Sequence, residues 1–169
     1  MNQYECGFIV KLYDTFIDQN YICLVFEYLP GKDLYHVFTH EFNLHAAASK
    51  FPTRKSWVMF YSAEILVVLK YLHKNHIIYR DLKPENVMID SAGHIKLIDF
   101  GFAKKLASQS QFRTSTNCGT IGYTAPEVIS EGATGYSFSA DLWSLGIVIS
   151  ELLTGNLPFE DRSDPMMIN

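Results

Sequence analysis

The sequence predicts an α+β fold, with strands first and two long helices after them. Two runs rich in β-branched and aromatic residues, 8–13 and 21–27, are separated by the polar residues 18–20. A helical period of apolar residues begins after Thr53, and a second, more apolar run covers 140–154. At 169 residues the chain has the length of one compact domain.

The elements follow in order from these patterns. Asp-Gln-Asn at 18–20 favours a turn, so the two strand runs are predicted to form a hairpin. Pro30 and Gly31 end the second strand, after which 32–38 predicts a short helix and 39–52 a loop. Thr53 is a suitable N-cap for the first long helix, which is expected to end between His73 and His76.

The second half of the chain alternates short strands, irregular segments and a helix. Runs 87–89 and 94–98 are predicted strands joined by a turn at 90–93. The segment 101–124 is rich in Ser, Thr, Gly and Gln and lacks periodicity. Residues 140–154 are apolar nearly all round and are followed by Gly155, which predicts a helix buried on every side.

Composition excludes several functional classes. Hydrophobic residues make up 48% and charged residues 19%, enough apolar material for a core. A net charge of −4 argues against a nucleic-acid-binding protein. Three cysteines without metal-ligand spacing fit a reducing compartment. With a polar start and no apolar run of the ~18 residues that a membrane span needs, the sequence predicts a soluble cytoplasmic protein.

Three motifs carry specific chemistry. Residues 79–86 read Tyr-Arg-Asp-Leu-Lys-Pro-Glu-Asn, Asp-Phe-Gly stands at 99–101, and Ala-Pro-Glu stands at 125–127. Asp-Phe-Gly alone is a weak signal, but the three in this order resemble the catalytic loop, metal-binding motif and activation-segment end of eukaryotic protein kinases. The resemblance implies the protein-kinase-like α+β fold, mainly its helical C-lobe with a β-hairpin remnant of the N-lobe.

The resemblance also implies roles for four residues. Asp81 would orient the substrate hydroxyl and accept its proton, and Lys83 would contact the γ-phosphate. Asn86 and Asp99 would supply oxygen ligands to Mg²⁺, so the implied cofactors are ATP and Mg²⁺. Taken singly, either aspartate could cap a turn and Lys83 could be a solvated surface charge; their joint spacing favours the catalytic roles.

Other positions narrow the resemblance to a subfamily. Lys83 and Thr120 are typical of serine/threonine kinases. Tyr79, where histidine is usual, together with 99–105 and 118–120, resembles the AGC group and especially cyclic-nucleotide-dependent kinases. This implies protein substrates and a cyclic-nucleotide-binding regulatory region or subunit, with the regulator (cAMP, cGMP or another) left open. The resemblance runs through almost all of the chain and departs at 39–52, where extra residues are inserted.

Nucleotide and regulatory positions come from the same match. Residues 1–26 correspond to an N-lobe remnant, 27–33 to the hinge and 34–169 to a partial C-lobe, with Phe26 as gatekeeper. The resemblance places adenine against the backbone of Glu27 and Leu29 and against Met88, which could equally be a core methionine. Asp33 would lie near the ribose hydroxyls or a substrate arginine.

The resemblance implies a switch and a substrate surface. Thr116 is the expected phosphorylation site, and Arg80 and Lys104 would pair with its phosphate. Thr120 and Glu151 would contact the substrate, and an arginine preference is expected although Gly122 stands where a further acid is common. Asp141, in an apolar helix, is expected to accept backbone N–H bonds from the catalytic loop.

Parts of the kinase machinery are missing from these 169 residues. No Gly-rich loop precedes the hinge, and Lys11 is in the wrong place to be the strand lysine of the family. In the family Glu127 pairs with an arginine from a later helix. The one arginine after Glu127 in these residues is Arg162, which lies too early to be that partner. Two hypotheses therefore stand: a piece of an active kinase with little activity alone, or a catalytically silent truncated kinase that acts as a binding module.

Overall fold

The structure, a computed structural model, describes residues 6–41, 53–130 and 135–159. Over these ranges it combines helices with three two-stranded antiparallel sheets, so the predicted α+β class is confirmed. Most of the loop expected at 39–52 lies outside the described residues. In the described part of the chain, no helix has the length and apolar character needed to span a membrane.

The N-terminal hairpin differs from its prediction. Strand β1 (Leu12–Asp18) pairs with β2 (Tyr21–Phe26), so the turn is right but the first strand begins later and runs further than 8–13. Instead, the backbone N–H of Leu97 donates to the carbonyl of Phe8 at 2.8 Å, and the N–H of Val10 donates to the carbonyl of Leu97 at 3.0 Å. The reason is burial: Phe8 packs against the main core, whereas both faces of the hairpin are exposed among the described residues.

A short helix follows the hinge segment. Helix α1 (Leu34–His36) continues into a π-helical turn, Val37–Glu41, and Asp33 caps it by accepting a hydrogen bond from the backbone N–H of His36 at 2.8 Å. The helix predicted at 32–38 is therefore confirmed, with a later start.

The long helix α2 (Arg54–Lys74) begins at its predicted cap. The Thr53 side chain accepts a hydrogen bond from the backbone N–H of Ser56. One face of α2 is buried, and its members are Val58, Tyr61, Ile65, Val68, Leu69 and Leu72. This face packs against the last helix and forms the centre of the core.

Short strands bring the loops of the second half together. Strands β3 (Ile77–Ile78) and β6 (Lys104–Lys105) pair, as do β4 (Val87–Ile89) and β5 (Ile95–Leu97). The turns Pro84–Asn86 and Ser108–Ser110 are 3₁₀-helical. Pairing of β4 with β5 carries the catalytic-loop motif and Asp-Phe-Gly to the same edge of the molecule.

Helix α3 (Pro126–Ile129) is short, and helix α4 (Ser139–Thr154) ends at Gly155 with φ 81°. The prediction that α4 is buried on every side is wrong. Its face toward α2 is buried, but Leu142 is 49% and Leu153 43% exposed. An apolar composition shows what a helix could bury, whereas the neighbouring elements among the described residues cover only one face.

Candidate active site

Asp81 lies at the centre of a dense polar cluster. The catalytic loop turns at Arg80, whose φ is +73°, and Asp81 follows it with only 4% exposure. One carboxylate oxygen accepts the Thr120 hydroxyl at 2.6 Å, and the other accepts the Asn86 side-chain amide at 2.9 Å. Both oxygens are thus held at fixed directions in a site largely removed from water.

Lys83 joins the same cluster. Its ammonium lies 3.1 Å from the Asp81 carboxylate and donates to the Thr120 hydroxyl at 2.8 Å. The Thr120 side chain therefore bridges the two charged groups. Residues 39 positions apart, Asp81 and Thr120, meet because the activation segment folds back over the catalytic loop.

The two segments that carry Asn86 and Asp99 are hydrogen-bonded to each other. The backbone carbonyl of Asn86 accepts the N–H of Ile98 at 3.0 Å, next to Asp99. The Asn86 amide nitrogen donates to Asp81 twice, which leaves the amide oxygen as the atom to offer a metal. Asp99 has φ +53°, and one of its oxygens accepts the N–H of Gly101 at 3.0 Å.

This donor set suits Mg²⁺ bound together with phosphate. Carboxylate and amide oxygens are ligands of the hard type that Mg²⁺ takes, and the ion usually completes its shell with phosphate and water. Within the described residues, no group of three or more His, Cys, Asp or Glu side chains could hold a metal. Asn86 and Asp99 offer two such oxygen ligands, and phosphate or water would fill the other positions around an octahedral Mg²⁺.

Asp141, on helix α4, holds the backbone of the catalytic loop in place, as predicted. This fully buried carboxylate accepts the backbone N–H groups of Tyr79 and Arg80, at 2.9 and 2.8 Å. His73 adds a third contact through Nε2 at 2.7 Å. The sequence reasoning missed His73, because its only signal was a place near the end of α2.

Tyr79 ties the catalytic loop to the metal-binding motif. Its hydroxyl donates to the carbonyl of Ile98, and its ring packs edge-on against Phe100 at 5.3 Å. Burial, and then the nearby Asp81 carboxylate, raise the pKa of Tyr79. The phenol therefore stays protonated and continues to donate this bond.

The hinge segment lies against the strands that lead to Asp99. Asp33 forms a bridge with Met88, and the N–H of Ile89 donates to the carbonyl of Lys32 at 3.0 Å. A Cβ on Gly31 would fall 2.0 Å from the carbonyl oxygen of Ile89, so this close approach requires glycine. Glu27 and Leu29, at the start of the segment, are half-buried.

Comparison with known proteins now gives the family. The family model described as a protein kinase domain matches residues 1–169. The chain belongs to the protein kinase domain family. The kinase domain is 44% identical over 166 residues to a cGMP-dependent protein kinase (isozyme 2 forms cD5/T2) of Drosophila melanogaster, covering 98% of this chain and 16% of that protein.

Two further relatives agree with the resemblance to AGC kinases. The cAMP-dependent protein kinase catalytic subunit of Dictyostelium discoideum is 47% identical, over 91% of this chain and 22% of that protein. Human cGMP-dependent protein kinase 2 is 44% identical, over 96% of this chain and 20% of that protein. The predicted likeness to cyclic-nucleotide-dependent kinases is confirmed, and the kinase domain spans less than a quarter of each of these three proteins.

Two basic residues of the kinase domain converge near Thr116. Arg80 donates to the Tyr136 hydroxyl at 3.3 Å, and that hydroxyl donates to the backbone carbonyl of Thr116 at 2.5 Å. Lys104 donates to the Thr114 hydroxyl at 3.0 Å, and the Thr114 and Thr116 hydroxyls lie 3.5 Å apart. Tyr136, which the sequence reasoning missed, is the link between Arg80 and the Thr116 segment.

Glu151 lies on α4 of the kinase domain, below the activation segment. One of its oxygens accepts the Tyr123 hydroxyl at 2.6 Å. Burial first, and then this hydrogen bond, raise the pKa of Tyr123, so the phenol remains a donor. Glu127 is exposed and accepts from the Ser139 hydroxyl at 3.3 Å.

Proposed function

We propose that the protein is a serine/threonine protein kinase of AGC type, which transfers the γ-phosphate of ATP, with Mg²⁺, to serine or threonine in protein substrates. The observation that carries the proposal is the convergence of Asp81, Lys83, Thr120 and Asn86 in one hydrogen-bonded cluster. Because phosphoryl transfer depends on positioning and charge neutralisation, a buried carboxylate beside an ammonium fits this reaction.

Asp81 and Lys83 divide the chemistry between them. The substrate oxygen forms a bond to the γ-phosphorus, the bond to the bridging oxygen of ADP breaks, and the hydroxyl proton passes to Asp81. Lys83, held by Thr120 at 2.8 Å, stabilises the negative charge on the transferred group. Thr120 also contacts Asp81, so it fixes the position of the proton acceptor relative to the Lys83 ammonium.

The nucleotide would lie between the hinge and strand β4. Backbone groups of Glu27 and Leu29 would bond adenine, Met88 would pack on it, and Asp33 would contact the ribose or a substrate arginine. Asn86 and Asp99 would hold Mg²⁺, which neutralises phosphate charge when bound. In this assignment, 1–26 belongs to the N-lobe, 27–33 is the hinge and 34–169 belongs to the C-lobe.

Regulation and recognition complete the proposal. A phosphate on Thr116 would pair with Arg80 and Lys104 and order the activation segment through charge-assisted hydrogen bonds. Glu151 would favour substrates with arginine near the acceptor. By likeness to the cGMP- and cAMP-dependent relatives, a cyclic-nucleotide-binding region or subunit is the regulatory partner. The proposed site of action is the cytoplasm, because three cysteines without metal-ligand spacing fit a reducing compartment.

Phosphate transfer to peptides tests the activity. The protein, purified at the length that the cell makes, is incubated with Mg²⁺, γ-labelled ATP and arginine-containing peptides with Ser, Thr or Tyr as acceptor. Label is expected in the Ser and Thr peptides, and Asp81→Asn should lower the rate by about 10³-fold. Asp18→Asn, in the exposed hairpin, is the matched control. Transfer no faster than that of Asp81→Asn would instead favour a silent binding module.

The switch is tested separately. Thr116→Ala should lower the activity at least about tenfold, because the phosphate that orders the segment cannot form. Ser115→Ala removes a neighbouring exposed hydroxyl and should leave the rate unchanged. Full activity of Thr116→Ala would remove the switch from the proposal and leave the catalytic assignment standing.

A further inference from the structure

An ion pair joins the hinge segment to the strand beneath it. The Lys96 ammonium lies 3.0 Å from a carboxylate oxygen of Glu27, although the two residues are 69 positions apart. The side chains are only 15% and 20% exposed. A pair covered to this extent is screened less by water than an ordinary surface salt bridge.

Lys96 extends from the floor of the proposed nucleotide crevice. It lies in β5 directly opposite Met88 of β4, the residue proposed to pack against adenine. Three residues later the same strand segment reaches Asp99. A displacement of Lys96 would therefore disturb the pairing partner of the adenine-contacting methionine.

Glu27 belongs to the other wall. The carboxylate oxygen that contacts Lys96 also accepts the backbone N–H of Lys11 at 2.7 Å, and the backbone N–H of Glu27 donates to the carbonyl of Lys11 at 2.9 Å. Side chain and backbone of Glu27 are thus both fixed to the same residue. The carboxylate cannot follow a shift of Lys96 without pulling on the hinge backbone.

We propose that the Glu27–Lys96 pair sets the spacing between hinge and floor, which makes Lys96 a positioning residue for adenine. The inference rests on the proposed nucleotide site and adds a residue that does not itself touch the nucleotide. The N–H of Glu27 is already bonded to Lys11, so its backbone carbonyl is the group left for adenine, and the direction of that carbonyl depends on this contact. Among the described residues, loss of the Lys96 charge leaves the carboxylate with the Lys11 N–H as its donor and releases the hinge from the floor.

The test separates the adenine end of the site from the phosphate end. Calorimetric titrations with adenosine, MgADP and magnesium tripolyphosphate are made on the wild type, Lys96→Met, Lys96→Arg and the control Lys70→Met, which removes an exposed lysine of α2. Lys96→Met should bind adenosine and MgADP about three- to tenfold more weakly and tripolyphosphate unchanged. Lys96→Arg should restore most of the loss, and Lys70→Met should match the wild type. If Lys96→Met does not fold, Lys96→Gln takes its place with the same expectation.

Each contrary result has its own meaning. Unchanged adenosine and MgADP affinity in Lys96→Met would overturn the inference while leaving the proposed function intact. An equal loss for adenosine and tripolyphosphate would indicate a general structural role and would also overturn it. A wild-type protein that binds neither adenosine nor MgADP would overturn the proposed function and this inference with it.

Discussion

Asp141→Asn should destabilise the protein strongly although it changes few atoms. Asp141 is fully buried, and both of its oxygens accept backbone N–H groups, from Arg80 on one side and from Tyr79 on the other. An asparagine has one oxygen, so in either orientation its amide group faces one of these N–H donors. His73 does not remove the conflict, because a change of its tautomer leaves the backbone donor without an acceptor.

The magnitude follows from the unsatisfied groups. A buried donor without a partner costs about 1–3 kcal/mol, and here a backbone N–H loses its acceptor and meets an amide N–H in its place. We expect a loss of about 2–4 kcal/mol in the free energy of unfolding, a large part of the about 5–15 kcal/mol typical of a domain. In urea the unfolding midpoint, followed by circular dichroism, should fall by about 1–2 M.

The same substitution at Asp90 is the control. Asp90 accepts two backbone N–H groups through one oxygen, at 2.8 and 3.0 Å, so an asparagine oxygen can replace it. Asp90→Asn should change the unfolding free energy by less than about 0.5 kcal/mol. A similarly small effect for Asp141→Asn would refute the reasoning that Asp141 anchors the catalytic loop.

Three further predictions concern stability. Arg54→Met should lower the free energy of unfolding by about 1 kcal/mol, because the Arg54 guanidinium donates at 2.6 Å to the carbonyl of Leu152 in the last turn of α4. The control is Lys55→Met, at the exposed neighbouring position, and equal urea midpoints for the two variants would contradict this prediction. Tyr79→Phe should lose about 1–2 kcal/mol by leaving the partly buried carbonyl of Ile98 without its donor, and an unchanged thermal midpoint would count against that. A hydrogen bond to Glu64 raises the pKa of His94 above its ordinary value of 6.5. The contribution of this pair to folding stability is therefore fully present below pH 6.5 and is lost as the pH rises through the pKa of His94 in the folded protein. The urea midpoint of the wild type should therefore fall with rising pH relative to His94→Gln, and parallel curves would exclude this contribution.

The polar centre of the site was the most predictable part of the molecule. In residues 79–86 and 99–101 the expected reaction requires particular side chains. Such loops carry a catalytic carboxylate, a cation and oxygen ligands at fixed spacings along the sequence. The expectation for Asp141 also followed from a physical rule, that a carboxylate in an apolar helix needs donors. The roles of these residues in catalysis remain predictions.

Strand partners could not be read from the sequence. The alternation that marks a strand is the same whichever strand it pairs with, so 8–10 was assigned to the hairpin although Phe8 and Val10 bond to Leu97. The prediction that α4 is buried on every side was wrong for a related reason. Hydrophobicity describes one element, whereas burial depends on which other elements lie beside it.

Long-range side-chain contacts were also beyond sequence reasoning. His73 meets Asp141, Tyr136 meets Arg80, and Lys96 meets Glu27 across 56 to 69 positions. Each residue alone resembles an ordinary surface or core side chain. Only the fold shows that these contacts fix the catalytic loop, the activation segment and the hinge.

Asn86 and Asp99 are proposed to form a metal site together with the nucleotide, and Mg²⁺-dependent binding of ADP tests this proposal most directly. In calorimetric titrations Mg²⁺ should raise the affinity of the wild-type protein for ADP by at least about tenfold, because Asn86 and Asp99 would hold an ion that neutralises phosphate charge. Asp99→Asn should remove most of that increase. An affinity for ADP that is the same with and without Mg²⁺, or an undiminished Mg²⁺ effect in Asp99→Asn, would contradict the assignment.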